Sequence, residues 1–103
     1  MITFFVYMLD VTASDGARSL YVGSTNSVER RYAEHAQGEG ARYTKNKLVK
    51  LVFYQSFKTR AEAMQREQQL KRLPPIKKRA IIDDIFENEY LTEDEVKLPP
   101  QAN

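Results

Sequence analysis

The sequence predicts an α+β domain, a small three-stranded antiparallel sheet flanked by helices, with element order ββαβαα. Three observations carry that expectation. Three short runs are rich in aromatic and β-branched residues and read as strands. Two stretches that open on an Asn or Thr followed three residues later by Glu read as capped helices. A chain of 103 residues without cysteine is long enough to bury a single core without covalent staples.

The first strand is Thr3-Phe4-Phe5-Val6-Tyr7-Met8-Leu9. Ser14-Asp15-Gly16 is a turn signal, and Ser19-Leu20-Tyr21-Val22-Gly23 returns as the second strand of a hairpin. Pairing symmetric about Ser14 sets Tyr7 opposite Tyr21, on one face of the sheet. Asn26 with Glu29 caps a helix from Val28 to Gln37, stopped by Gly38 or Gly40. A basic loop, Ala41-Arg42-Tyr43-Thr44-Lys45-Asn46-Lys47, leads to the third strand, Leu48 to Tyr54. Thr59 with Glu62 caps a second helix ending near Arg72, and Leu73-Pro74-Pro75 breaks it before a third. That last helix carries Ile76, Ala80, Ile81, Ile82, Ile85 and Phe86 as its apolar positions. Residues 1–87 are expected to form the domain and 88–103 an acidic extension, partly disordered, with one further turn capped by Thr92 and Glu95.

Composition excludes several chemistries. Without cysteine there is no disulfide framework, thiol nucleophile, zinc knuckle or iron–sulfur cluster, and one histidine excludes a multi-histidine metal centre. Any metal would be held by carboxylates and waters, which suits magnesium or manganese. No apolar run approaches the ~20 residues of a membrane span and no signal peptide is legible, so the expectation is a cytoplasmic protein with no membrane partner. The net charge of +2 hides an asymmetry: residues 1–80 hold 15 Lys and Arg against 7 Asp and Glu, whereas residues 81–103 hold Lys97 against seven acids. A basic body fits a polyanion, although a solvated surface accounts for such charge as well.

Three features resist a purely structural reading. Val28, Arg31, Tyr32 and His35 fall on one helical face. In the second helix Ala63, Met64 and Leu70 define an apolar stripe, and the series Ala63, Glu67, Leu70 sets a carboxylate within it. An ionised carboxylate there must be paired, protonated or bound to a cation, and Arg31 is the expected partner if it is paired. Gly23 either ends its strand in a simple turn or lets a ligand or backbone approach closely. Arg42, Lys45, Lys47, Lys71, Lys77 and Lys78 are candidates for a phosphate-binding groove, and Tyr43 for stacking on an unpaired base. Dinucleotide, Walker and nucleophile-elbow patterns are absent.

In order along the chain, Phe5-Val6-Tyr7, Tyr21-Val22-Gly23, Arg31 with His35, the Gly40-Ala41-Arg42-Tyr43-Thr44 loop and Glu67 resemble the GIY-YIG nuclease superfamily. Its small standalone bacterial and archaeal members are the nearest match, over about residues 3–85. The first motif has Phe5 where the family name has glycine. The resemblance implies the GIY-YIG nuclease fold and one Mg²⁺ or Mn²⁺ ion on Glu67. It further implies Arg31 on the scissile phosphate, Tyr21 accepting or positioning the proton of the attacking water, and Tyr7 and His35 orienting them, with His35 a rival for the base. The expected activity is metal-dependent endonucleolytic hydrolysis of DNA, in single-stranded or branched form, in repair or recombination, with RNA left open. The alternative is a nucleic-acid-binding module that keeps the fold with little cleavage of its own. The acidic segment suggests a docking arm for a protein partner.

Overall fold

The computed structural model describes residues 3–88. The expected extension at 88–103, and the Thr92–Glu95 turn within it, therefore lie outside the described residues except for Asn88. Strand β1 (Phe4–Thr12) occupies the centre of a three-stranded antiparallel sheet of order β2-β1-β3, between β2 (Arg18–Thr25) and β3 (Leu48–Phe57). Helix α1 (Val28–Ala36) precedes β3, and α2 (Arg60–Arg72) and α3 (Pro75–Asn88) follow it. The predicted architecture and order are those observed.

A central strand covered on both faces reads as a continuous apolar run, and residues 5–11 of β1 are all buried. Val6 and Met8 pack with Ala63 and Leu70 of α2 and Ile82 of α3. Phe5, Tyr7, Leu9 and Val11 pack on the opposite face with Val28 of α1. A β-bulge across from Met8 and Leu9 adds Val52 to β3, so that the consecutive Val52 and Phe53 both enter the α2 side of the core while Leu51 enters the other.

The hairpin pivots on Asp15, not Ser14. Gly16 takes a positive φ of 88°, its N–H donates to the Ala13 carbonyl at 2.9 Å, and the Asp15 carboxylate accepts from the Ala17 N–H at 2.9 Å. Tyr7 therefore pairs with Gly23, and Tyr21 with Leu9. A slip of two residues preserves the face, so both tyrosines still point the same way.

Helix α1 is capped by Ser27, whose hydroxyl accepts from the Arg30 N–H at 3.3 Å; Asn26, the expected cap, instead accepts from the Arg30 guanidinium at 3.2 Å. Its end is a Schellman turn: Gly38, at φ 81°, donates to His35 and Glu39 donates to Glu34. The Tyr32 hydroxyl donates to the Val49 carbonyl at 3.3 Å, fixing α1 over β3. Thr59 caps α2 as predicted, accepting from the Glu62 N–H at 3.2 Å. Three expected apolar positions are exposed, Met64 at 48%, Ile76 at 76% and Ala80, because α2 and α3 each turn only a narrow stripe to the sheet; the side chains of Ile85 and Phe86 lie outside those described.

One acid interrupts β1. Asp10 is buried and is held by Arg18 of β2 and by Arg79 of α3, the latter through two contacts of 3.2 and 3.3 Å. Burial works to raise its pKa, but hydrogen bonds from Arg79 and Arg18 outweigh that and leave it below the usual carboxylate value. This clamp ties the third helix to the sheet.

Candidate active site

Alternation along β2 sends Tyr21 to the α1 side and Val22 to the α2 side. The rings of Tyr7 and Tyr21 lie 6.3 Å apart between centroids. Tyr7 fits because Gly23 stands beside it: a Cβ there would lie 2.5 Å from the phenolic oxygen and 2.6 Å from Cζ. Gly23 is itself buried, so what it admits is the phenol of Tyr7. Gly23→Ala is expected to destabilise the domain by about 1–3 kcal/mol, because a fully buried ring has nowhere to retreat. That lowers the thermal midpoint by at least roughly 4 °C, and an unchanged midpoint in a melting experiment would refute the fit.

The Tyr7 hydroxyl sits 2.9 Å from Nε2 of His35, and Nδ1 of His35 sits 2.7 Å from Oγ1 of Thr44. Thr44 and His35 are completely buried. The Thr44 hydroxyl donates to the Ala41 carbonyl at 3.2 Å, so it accepts from Nδ1–H and leaves Nε2 to accept from Tyr7. Gly40 lies flat against the imidazole, where a Cβ would overlap Nδ1. Burial first, and then the charge of Arg31, lower the pKa of His35 and keep it neutral at pH 7. Burial, with the neighbouring Tyr21, pushes the Tyr7 phenol far up, against the pull of Arg31. Tyr7 is thus a fixed donor, and both nitrogens of His35 are engaged.

Arg31, one turn before His35, donates to the Gly40 carbonyl at 2.7 Å and to Glu34 at 3.1 Å. Tyr21 is half-buried; its ring lies 4.9 Å from that of His35 and stacks on Tyr43 at 6.1 Å. The Lys47 ammonium sits 4.2 Å over the Tyr43 ring.

Glu67 approaches from α2. Its side chain is 14% exposed, Oε1 accepts from the Ser24 hydroxyl at 3.1 Å, and Oε2 lies 3.2 Å from the Lys71 ammonium. The expected pairing with Arg31 is not observed: Arg31 is taken by Glu34 and Gly40, and Lys71, one turn along the same helix, is the cation within reach. Ser24, from which Glu67 accepts, follows Gly23 in β2, so the carboxylate sits one strand position from the glycine against which Tyr7 packs. The tyrosine cluster and the carboxylate thus meet around the end of an edge strand. A cleft of about 520 Å³ opens there between α1 and α2, with Ser24 and Arg31 in its walls.

Among the described residues no three His, Cys, Asp or Glu side chains cluster as a metal cage. Glu67, a single carboxylate between the Ser24 hydroxyl and the Lys71 ammonium, is the residue that would hold a hard divalent ion that keeps most of its waters, in place of the Lys71 contact. Of the basic candidates, Lys47 and Lys71 touch site residues through Tyr43 and Glu67. Arg42 and Lys45 are exposed on the loop, and Lys77 and Lys78 lie in the first turn of α3. Ser24 and Thr44 join the site without any signal in the spacing, since a hydroxyl in a strand end or a basic loop carries no periodicity.

The model of the GIY-YIG catalytic domain matches residues 3–79. The chain belongs to the GIY-YIG family. A UPF0213 protein of Natronomonas pharaonis is 43% identical over 81 residues, covering 78% of this chain and 91% of that protein. A UPF0213 protein of Bacillus licheniformis is 40% identical over 79 residues, covering 76% and 79%. The solution NMR structure of a UPF0213 protein from Bacillus halodurans, 31% identical, superposes with a TM-score of 0.53 over 95% of this chain and all of that one. GIY-YIG domains belong to a nuclease superfamily whose members generally use a divalent metal ion on nucleic acid. No described helix of this GIY-YIG domain is long and apolar enough to cross a membrane.

Proposed function

We propose that this GIY-YIG domain is a divalent-metal-dependent endonuclease that hydrolyses phosphodiester bonds in single-stranded or branched DNA, with a place in repair or recombination. The observation that carries the reading is the ordered chain Tyr7–His35–Thr44 set beside a half-buried Tyr21, with Arg31 and a lone carboxylate on either side of the β2 end. Tyr21 is the half-buried phenol beside that chain; it positions the attacking water and, as its phenolate, takes the water's proton. Tyr7 and His35 hold the Tyr21 ring and do not themselves meet the substrate, since both are fully buried. Arg31 offers its planar fork to the scissile phosphate and to the charge that grows there. Glu67 would hold one Mg²⁺ or Mn²⁺ ion, which would supply Lewis-acid stabilisation of the negative charge that develops in phosphodiester hydrolysis. Tyr43 stacks on an unpaired base; Gly23 serves the site through Tyr7. Residues 1–87 form the nuclease unit in this reading, acting in the cytoplasm, with the acidic segment beyond it available to a protein partner.

The test is cleavage of labelled single-stranded, duplex and flapped DNA in magnesium, manganese or EDTA. Products are expected with either metal and not with EDTA, and more from the unpaired or flapped substrates than from duplex. Binding without cleavage under every metal would replace this reading with that of a nucleic-acid-binding module on the same fold.

A further inference from the structure

We propose that the cleft between α1 and α2 is a binding subsite for the sugar–phosphate backbone of one strand, with Arg60 and Arg30 as the residues that meet its phosphates. The proposal rests on the nuclease reading and adds to it the path the strand takes away from the scissile bond. The cleft, about 520 Å³, is lined by Ser24 and Arg31, both tied to the candidate site, together with Asn26 and Arg30 at the α1 end and Arg60 from α2. Its volume is that of a small-ligand cleft, enough for a stretch of one strand and too little for a duplex.

The charge in the walls is arranged for an anion. The one acid there, Glu34, is already neutralised by Arg31 at 3.1 Å. Arg30 is steadied by Asn26, which accepts one of its N–H groups at 3.2 Å and leaves the rest of the fork to point elsewhere. The Arg60 guanidinium has no ion-pair or hydrogen-bond partner among the described residues. Two guanidinium groups without a carboxylate to answer them, one from α1 and one from α2, line a cleft that also holds Ser24, the hydroxyl partner of Glu67, and suit the phosphates of a backbone. Neither belongs to the loop that carries Tyr43 and Lys47, so the phosphate track is separate from that stacking platform.

The experiment measures binding of a fluorescein-labelled single-stranded oligodeoxynucleotide in EDTA, over a range of salt concentrations, by the full chain carrying Glu67→Gln to prevent cleavage. Adding Arg60→Gln or Arg30→Gln is expected to weaken binding several-fold and to reduce the slope of log K against log salt by about 0.7 for each phosphate left without its arginine. Arg60→Lys should restore the slope, which loss of folding would not allow. An affinity and slope unchanged by both glutamine variants would overturn the subsite while leaving the nuclease reading intact. A parent protein that binds no DNA at any salt would overturn the nuclease reading, and this subsite with it.

Discussion

Replacing Glu67 by glutamine is expected to leave the domain folded and to lower metal-dependent cleavage by about 10³-fold. The amide has the shape of the carboxylate and still accepts the Ser24 hydroxyl through Oε1, so the packing of α2 on β2 survives. What disappears is the charge that pairs with Lys71 and that would hold a divalent ion. The exposed part of that pair contributes little to stability, since one partner remains hydrated. A melting midpoint close to that of the parent, together with an abolished Mn²⁺ affinity in a spectroscopic titration, would separate ion capture from misfolding. Cleavage at the parental rate would assign the activity to another group and sink the mechanism.

Asp10→Ala should produce the largest loss of stability, about 2–3 kcal/mol. It falls below the 3–5 kcal/mol of breaking a fully buried pair because both arginines stay partly hydrated, their side chains being 59% and 36% exposed. The thermal midpoint is expected to fall by roughly 10–20 °C in a domain of this size. The folded pKa of Asp10 is depressed, so the unfolded chain takes up the proton first as pH falls. The stabilisation is complete above the ordinary carboxylate pKa of about 4 and is lost as pH drops below it, through the folded value. Acid unfolding of the parent should therefore steepen in that window, and the Asp10→Ala variant should show a flatter profile there. Equal midpoints at pH 7 would show that the clamp contributes nothing.

Asp10 also marks a limit of what local pattern conveys. An acid inside Leu9-Asp10-Val11 is the same anomaly as Glu67 inside its apolar stripe, and the same physics demands a buried partner for it. The strands, the Thr59 cap, the break at Pro74 and the shared face of Tyr7 and Tyr21 follow from alternation and capping spacing, and the structure has them. The hairpin register does not follow, because a shift of two residues leaves every side chain on its own face; only the Asp15 and Gly16 turn geometry selects the pivot. The true partner of Glu67 is within reach of the spacing rule, with Lys71 four residues on, whereas the expected pairing with Arg31 required two helices to meet in a way spacing does not specify. Thr44, Ser24, Arg30 and Arg60 acquire meaning only once α1, α2 and the loop before β3 converge on the end of β2. That convergence is a tertiary fact with no trace in local pattern.

The strand order has one more implication. Tyr7 rides on the middle strand, laced to neighbours on both sides, while Tyr21 and Ser24 ride on a rim strand with one flank unlaced. The strand that carries Tyr7 is therefore held on two flanks and the strand that carries Tyr21 on one. A ligand would thus reach Tyr21 and Ser24 before Tyr7 and His35, whose full burial keeps them behind the rim.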